Sequence, residues 1–94
     1  MLHIAYYEAS IQEFCGSSNS EILGKLTERH GFSLEIQQRA AWIEQIRLLK
    51  LSLENINEGR VFFEFFIPRI GKRVDVVLII NNIIFVVEFI VGRD

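Results

Sequence analysis

The stretch from Val61 to Asp94, VFFEFFIPRIGKRVDVVLIINNIIFVVEFIVGRD, constrains the fold more than any other part of the chain. Three apolar runs are divided by PRIGK and by Asn81-Asn82. Short runs rich in Val, Ile and Phe, bounded by turn residues, read as strands. Asn tolerates φ > 0, which a type I′ hairpin requires, so the second and third strands pair antiparallel across Asn81-Asn82. Pro68 has no N–H for a ladder and marks the end of the first strand. The strands are expected over 61–67, 73–80 and 83–91. All three are apolar at alternate and non-alternate positions alike, so both sheet faces want cover.

Each run also carries one acid, Glu64, Asp75 and Glu88 in turn. A carboxylate taken out of water without a partner is costly or takes up a proton, so each needs a reason. Side chains alternate along a strand. Arg73, Asp75 and Val77 therefore share a face of the second strand, and Ile84, Val86, Glu88 and Ile90 share a face of the third. Closing the hairpin on Asn81-Asn82 sets Ile80 opposite Ile83 and Asp75 opposite Glu88. Two carboxylates so placed can share one cation, and without it they repel and one pKa rises. The same spacing suits a structural role, with Asp75 paired to Arg73 and Glu88 a partly exposed edge residue.

The preceding residues read as helical. LHIAYY, over 2–7, is a short edge strand or a lead into a helix. Ser10 with Glu13 and Ser18 with Glu21 have capping-box spacing, which predicts helices over about 10–15 and 19–30. The second has Arg29 and His30 in its last turn and Gly31 just beyond. Ser33 is the expected N-cap of a long helix over about 34–56. In it Trp42, Ile46, Leu49, Leu53 and Ile56 recur at steps of four and three and form one stripe. Ile36, Ala40 and Ile43 extend that face toward the start. Gln45 falls among the solvated residues, and Leu48 and Leu51 lie off the stripe.

Ninety-four residues make one small domain, 1–94, with a helical part over 8–58 and a sheet over 60–92. The fold class is α+β: N-terminal helices including one long one, then a three-stranded antiparallel sheet. Half the residues are hydrophobic and Phe alone counts eight. The helices can shield one face of the sheet, and the other points to association, a homodimer being the commonest solution. The net charge of −2 gives no general pull toward nucleic acid. A local cluster, Arg69, Lys72 and Arg73, offers phosphate contacts, or simply a solvated turn. One cysteine, Cys15, excludes an internal disulfide framework and fits a reducing, cytoplasmic setting. MLHIAYYEAS lacks the features of a secretory leader. Asp75, Asn81, Asn82 and Glu88 interrupt the apolar run 74–91, so no membrane span is expected. No GxxxxGK[ST] motif is present, and no nucleotide site is expected. His3 and His30 read as isolated surface histidines, and Trp42 as a core anchor.

A long helix followed by antiparallel strands, with Asp on the second and Glu near the end of the third, resembles the PD-(D/E)XK nuclease core. More narrowly, IPRIGKRVDVVLIINNIIFVVEF, preceded by QQRAAWIEQI, resembles the N-terminal nuclease-like region of bacterial proteins that continue into a P-loop helicase-type ATPase domain. The resemblance spans nearly the whole chain, and its most specific parts are GKRVDVVL and VVEF. It implies a partial restriction-endonuclease-like core acting on DNA. Asp75 and Glu88 match the acids that hold Mg²⁺, for which Mn²⁺ substitutes. Glu44 is the helix candidate to complete the site, and Glu64 its rival on the first strand. The motif lysine falls on Ile90, which has neither charge nor proton to offer. Arg73 or Lys72 could stand in for it. The family core goes on with a further helix and strand, whereas this sequence stops at Asp94. The resemblance thus implies a truncated nuclease-like domain, weakened or inactive. The competing expectation is a non-enzymatic module that self-associates or regulates a partner.

Overall fold

In this computed structural model, residues 4–31 and 35–90 are described. The order is β1 (Tyr7–Ser10), α1 (Ile11–Gly16), α2 (Asn19–His30), α3 (Ile36–Leu53), β2 (Arg60–Ile67), β3 (Lys72–Ile80) and β4 (Ile83–Val87). The class is α+β, with one antiparallel sheet ordered β1-β2-β3-β4.

The sheet thus has four strands rather than the expected three. β1 pairs with β2 from Tyr7↔Phe63 to Ser10↔Arg60. Its alternation is clear in place, with Tyr7 and Ala9 buried and Glu8 exposed. Four residues are too few to show that period in the bare sequence. Ser10 ends the strand and caps α1 at once, accepting from the Glu13 amide at 3.0 Å. Ser18 does the same for α2, accepting from Glu21 at 3.1 Å. Both caps satisfy backbone donors that the first turn leaves unpaired.

α3 is shorter than its periodicity suggests. Glu35 stands at its N-cap position without a side-chain bond, and Ser33 lies outside the described residues. The helix ends at Leu53, and Ile56 packs on the core from a turn in which its amide donates to the Leu53 carbonyl. The buried stripe begins at Trp42. Ile36 and Ile43 are exposed. Gln45, expected in solvent, is buried, since it shares the side of α3 that carries Trp42, Ile46 and Leu49.

One core joins Ile11 and Phe14, Ile22 and Leu26, and Trp42, Ile46, Leu49 and Leu53 from the three helices to Val61, Phe63, Val76 and Leu78 of the sheet. Gly59, at φ 131°, holds the entry to β2 against it. A Cβ there would stand 2.6 Å from the Ile79 carbonyl oxygen and 2.8 Å from Ile11 Cδ1. Its own carbonyl accepts from the Ile11 amide at 3.0 Å.

The hairpin forms as its turn chemistry requires. Asn81 and Asn82 have φ of 53° and 65°, both positive as in a type I′ turn, and Ile80 pairs with Ile83. β4 ends at Val87 instead of continuing to Val91, which lies outside the described residues. The helices cover β1 to β3 but leave the outer strand bare: Ile83, Ile84, Phe85 and Val86 are 43–66% exposed.

β2 departs from simple alternation. Glu64 has φ 55°, uncommon for a residue with a Cβ. The Phe62 and Phe65 rings, which strict alternation puts on opposite faces, meet edge to face 5.6 Å apart. The irregularity at Glu64 resets which face each side chain takes.

Candidate functional site

The β3–β4 ladder runs from Ile80↔Ile83 to Val76↔Val87. The next pair in that register is Asp75 and Glu88, as the hairpin closure requires. Ladder pairing stops here and a side chain takes over: the Phe89 amide donates to Asp75 Oδ2 at 2.9 Å. Asp75 is half-buried and Glu88 exposed, and the charge of Asp75 acts on Glu88. Glu88 is pushed above the ordinary carboxylate value, first by desolvation at the sheet edge, then by the bond to Asp75 and its charge. Lys72 pulls the other way.

Glu64 joins them from β2. Its irregular backbone turns the side chain toward α3, where Trp42 Nε1 donates to Oε2 at 3.4 Å. Burial raises the Glu64 pKa; the Trp42 bond and Arg73 oppose the rise, and the charges of Asp75 and Glu88 add to it. All three acids therefore feel one another. Among the described residues, however, no three His, Cys, Asp or Glu side chains converge as a metal-ligand set. Asp75 and Glu88 alone still suit Mg²⁺, which takes one or two protein carboxylates and fills its other positions with water and substrate oxygens.

Arg73 is bound into the scaffold. Its Nη1 donates to the Glu64 carbonyl at 2.7 Å and to the Ile4 carbonyl at 3.2 Å. Its guanidinium lies 4.3 Å from the centre of the Tyr6 ring and 5.5 Å from that of Phe66. It ties the N-terminal segment to β2 and β3, and the Phe66 amide adds a 2.6 Å bond to Ile4. Tyr6 in turn meets Trp42 and His30 edge-on at 6.4 and 6.1 Å. His30 is therefore half-buried among rings, not on the surface, because the last turn of α2 packs beside Tyr6 and Trp42. His3 lies outside the described residues.

Glu44 is held elsewhere. Arg47 binds its carboxylate on the exposed side of α3 and keeps it below the usual carboxylate range. Glu64, not Glu44, is the further acid within electrostatic range of Asp75 and Glu88. Arg69 and Lys72 are exposed at the β2–β3 turn, and Lys72 acts electrostatically on Glu88. Ile90 is 92% exposed. The Trp42 donor and the Phe89 amide were not foreseeable: Trp42 fits an apolar stripe, and a backbone amide has no sequence signature. No known protein family, curated protein or solved structure matches this chain.

Proposed function

We propose that this domain is a degenerate DNA nuclease-like module of PD-(D/E)XK type that retains a divalent-cation site and has lost most or all of its catalytic power. The observation that carries the reading is the register of the β3–β4 hairpin, which sets Asp75 opposite Glu88 one pair beyond Val76↔Val87, with Glu64 in electrostatic range. Asp75 and Glu88 would hold Mg²⁺ or Mn²⁺, with Glu64 the nearest further acid. A cation there supplies charge to phosphoryl oxygens and acidity to bound water. The motif lysine is Ile90, which offers neither charge nor proton. Arg73, engaged with two carbonyls and two rings, positions β2 against β3 and the N-terminal segment. Lys72 is the cation that acts on Glu88, and with Arg69 it offers contacts to DNA phosphates.

Titration with Mg²⁺ or Mn²⁺, followed by thermal unfolding and by Mn²⁺ paramagnetic line broadening, tests the site. Binding in the millimolar range that Asp75→Asn abolishes is the expected result, and no binding would remove the cation from the reading. On plasmid DNA the native chain is expected to cut little or not at all, and Ile90→Lys to raise cleavage. Cleavage that survives both Asp75→Ala and Glu88→Ala would take these acids out of the mechanism.

A second reading, a self-associating interaction module, is favoured by a different observation. Four consecutive apolar residues of β4 remain exposed on an outer strand, a surface of the kind that marks association. Sedimentation of the native chain tests it, a monomer at high micromolar protein being the adverse result. No helix among the described residues is long and apolar enough to cross a membrane.

A further inference from the structure

β4 lacks what outer strands use to avoid pairing. It carries no charge, no proline and no bulge, and its sequence is Ile83-Ile84-Phe85-Val86-Val87. The opposite edge differs: β1 has four residues, includes Glu8 and Ser10, and shares a cleft with Lys25, Glu28 and Arg29 of α2.

The residues of β4 are complementary to themselves in one antiparallel register. With Phe85 set against its own copy, Ile84 faces Val86 and Ile83 faces Val87. Glu88 then faces Asn82, whose amide can donate to the carboxylate. A shift of one position toward the C-terminus sets Glu88 against Ile84, and a shift the other way sets Asn82 against Val86. Cross-strand pairs of like polarity are what stabilise a ladder, so the Phe85-centred register is preferred.

We infer that a second copy of this chain covers β4, the two β4 strands pairing antiparallel about a two-fold axis at Phe85 to continue the sheet across both copies. This deepens the self-association reading. The two-fold makes the contact isologous and closed, so it ends at a dimer. Glu88 and its symmetry mate then stand six residues apart along the new ladder, about 20 Å. Each carboxyl pair therefore keeps its own site away from the axis. Five residues a side make a small contact, which belongs with weak, concentration-dependent association.

Sedimentation of the full chain across the micromolar range is expected to show twice the 10.9 kDa chain mass at the upper end. Under mild oxidation Phe85→Cys should give a covalent dimer, because directly opposed residues lie within disulfide reach. Ile83→Cys, whose opposite number is Val87, should give far less, and the native chain with Cys15 alone serves as the control. Phe85→Lys should leave a monomer with unchanged helical circular dichroism. If that variant does not fold, the cross-linking pair decides. A dimer in which Phe85→Cys fails to link, or Ile83→Cys links equally well, overturns this register and leaves the broader association reading standing. A native chain that stays monomeric overturns both.

Discussion

The Phe89 amide donates to the Asp75 carboxylate at 2.9 Å, and this bond prolongs the β3–β4 pairing beyond its last ladder residue. It fixes the segment carrying Glu88 against β3, opposite Asp75. Asp75 thus has a structural duty in addition to the proposed cation.

Asp75→Ala should free the Phe89 amide and lower stability by about 1 kcal/mol, the usual worth of one such bond. Asp75→Asn keeps an acceptor and should cost less. Thermal unfolding gives the stability change, and amide exchange at Phe89 should quicken in the alanine variant alone. Equal exchange in both would mean that Asp75 does not hold this segment.

Cation binding should strengthen as pH rises through the region above the ordinary carboxylate value of 4.5. Glu88 is raised by desolvation and by Asp75, so a proton must leave before the pair can bind a metal. Mn²⁺ titrations at several pH values check this, and affinity flat with pH would count against the paired carboxyls. Replacing Lys72 by Met should raise the Glu88 pKa further, because Lys72 pulls it down.

Trp42 is the chain's single tryptophan and donates to Glu64, so its fluorescence should report Glu64 ionisation. Burial places the folded Glu64 pKa above its unfolded value. The stability this contributes is complete below the unfolded value and is lost as pH rises through the folded one. Glu64→Gln keeps an acceptor for the indole and cannot ionise. It should stabilise the fold at pH 7 by less than about 1 kcal/mol, since the group is partly solvated. That advantage should vanish under acid, together with the fluorescence transition. A transition that persists in the glutamine variant would assign it to another group.

Gly59→Ala should be among the most damaging single changes. Its Cβ would meet a backbone oxygen at 2.6 Å, and φ of 131° is unfavourable to any side chain. Overpacking of this kind costs about 1–3 kcal/mol, and the conformational strain adds to it. For a domain this size each kcal/mol lowers Tm by roughly 4–8 °C. Thermal denaturation measures the loss, and a variant as stable as the native chain would show that the loop relaxes freely.

Local chemistry was legible wherever its signal was local. Ser10 and Ser18 mark helix starts because a hydroxyl three residues before an amide can cap it, and both do. Asn81-Asn82 marks a hairpin because both residues accept positive φ, and the register that follows puts Asp75 at Glu88. Trp42, Ile46, Leu49 and Leu53 form the buried stripe of α3 because the helical period allows one such face.

What the tertiary structure decided lies where partners come from distant parts of the chain. The sequence left residues 2–7 open between an edge strand and a lead into a helix; pairing with β2 settles it as a strand at Tyr7–Ser10. Glu64 rather than Glu44 comes within electrostatic range of Asp75 and Glu88 because a positive φ turns it toward Trp42, while Arg47 holds Glu44 in solvent. Arg73, adjacent in sequence to the acids and expected to serve them, is bound by Ile4, Tyr6 and the Glu64 carbonyl. Charge and spacing determined that the acids and bases would gather near one hairpin. Packing decided which of them face each other, because the energy of a buried charge depends on every group around it, and a sequence orders those groups along only one dimension.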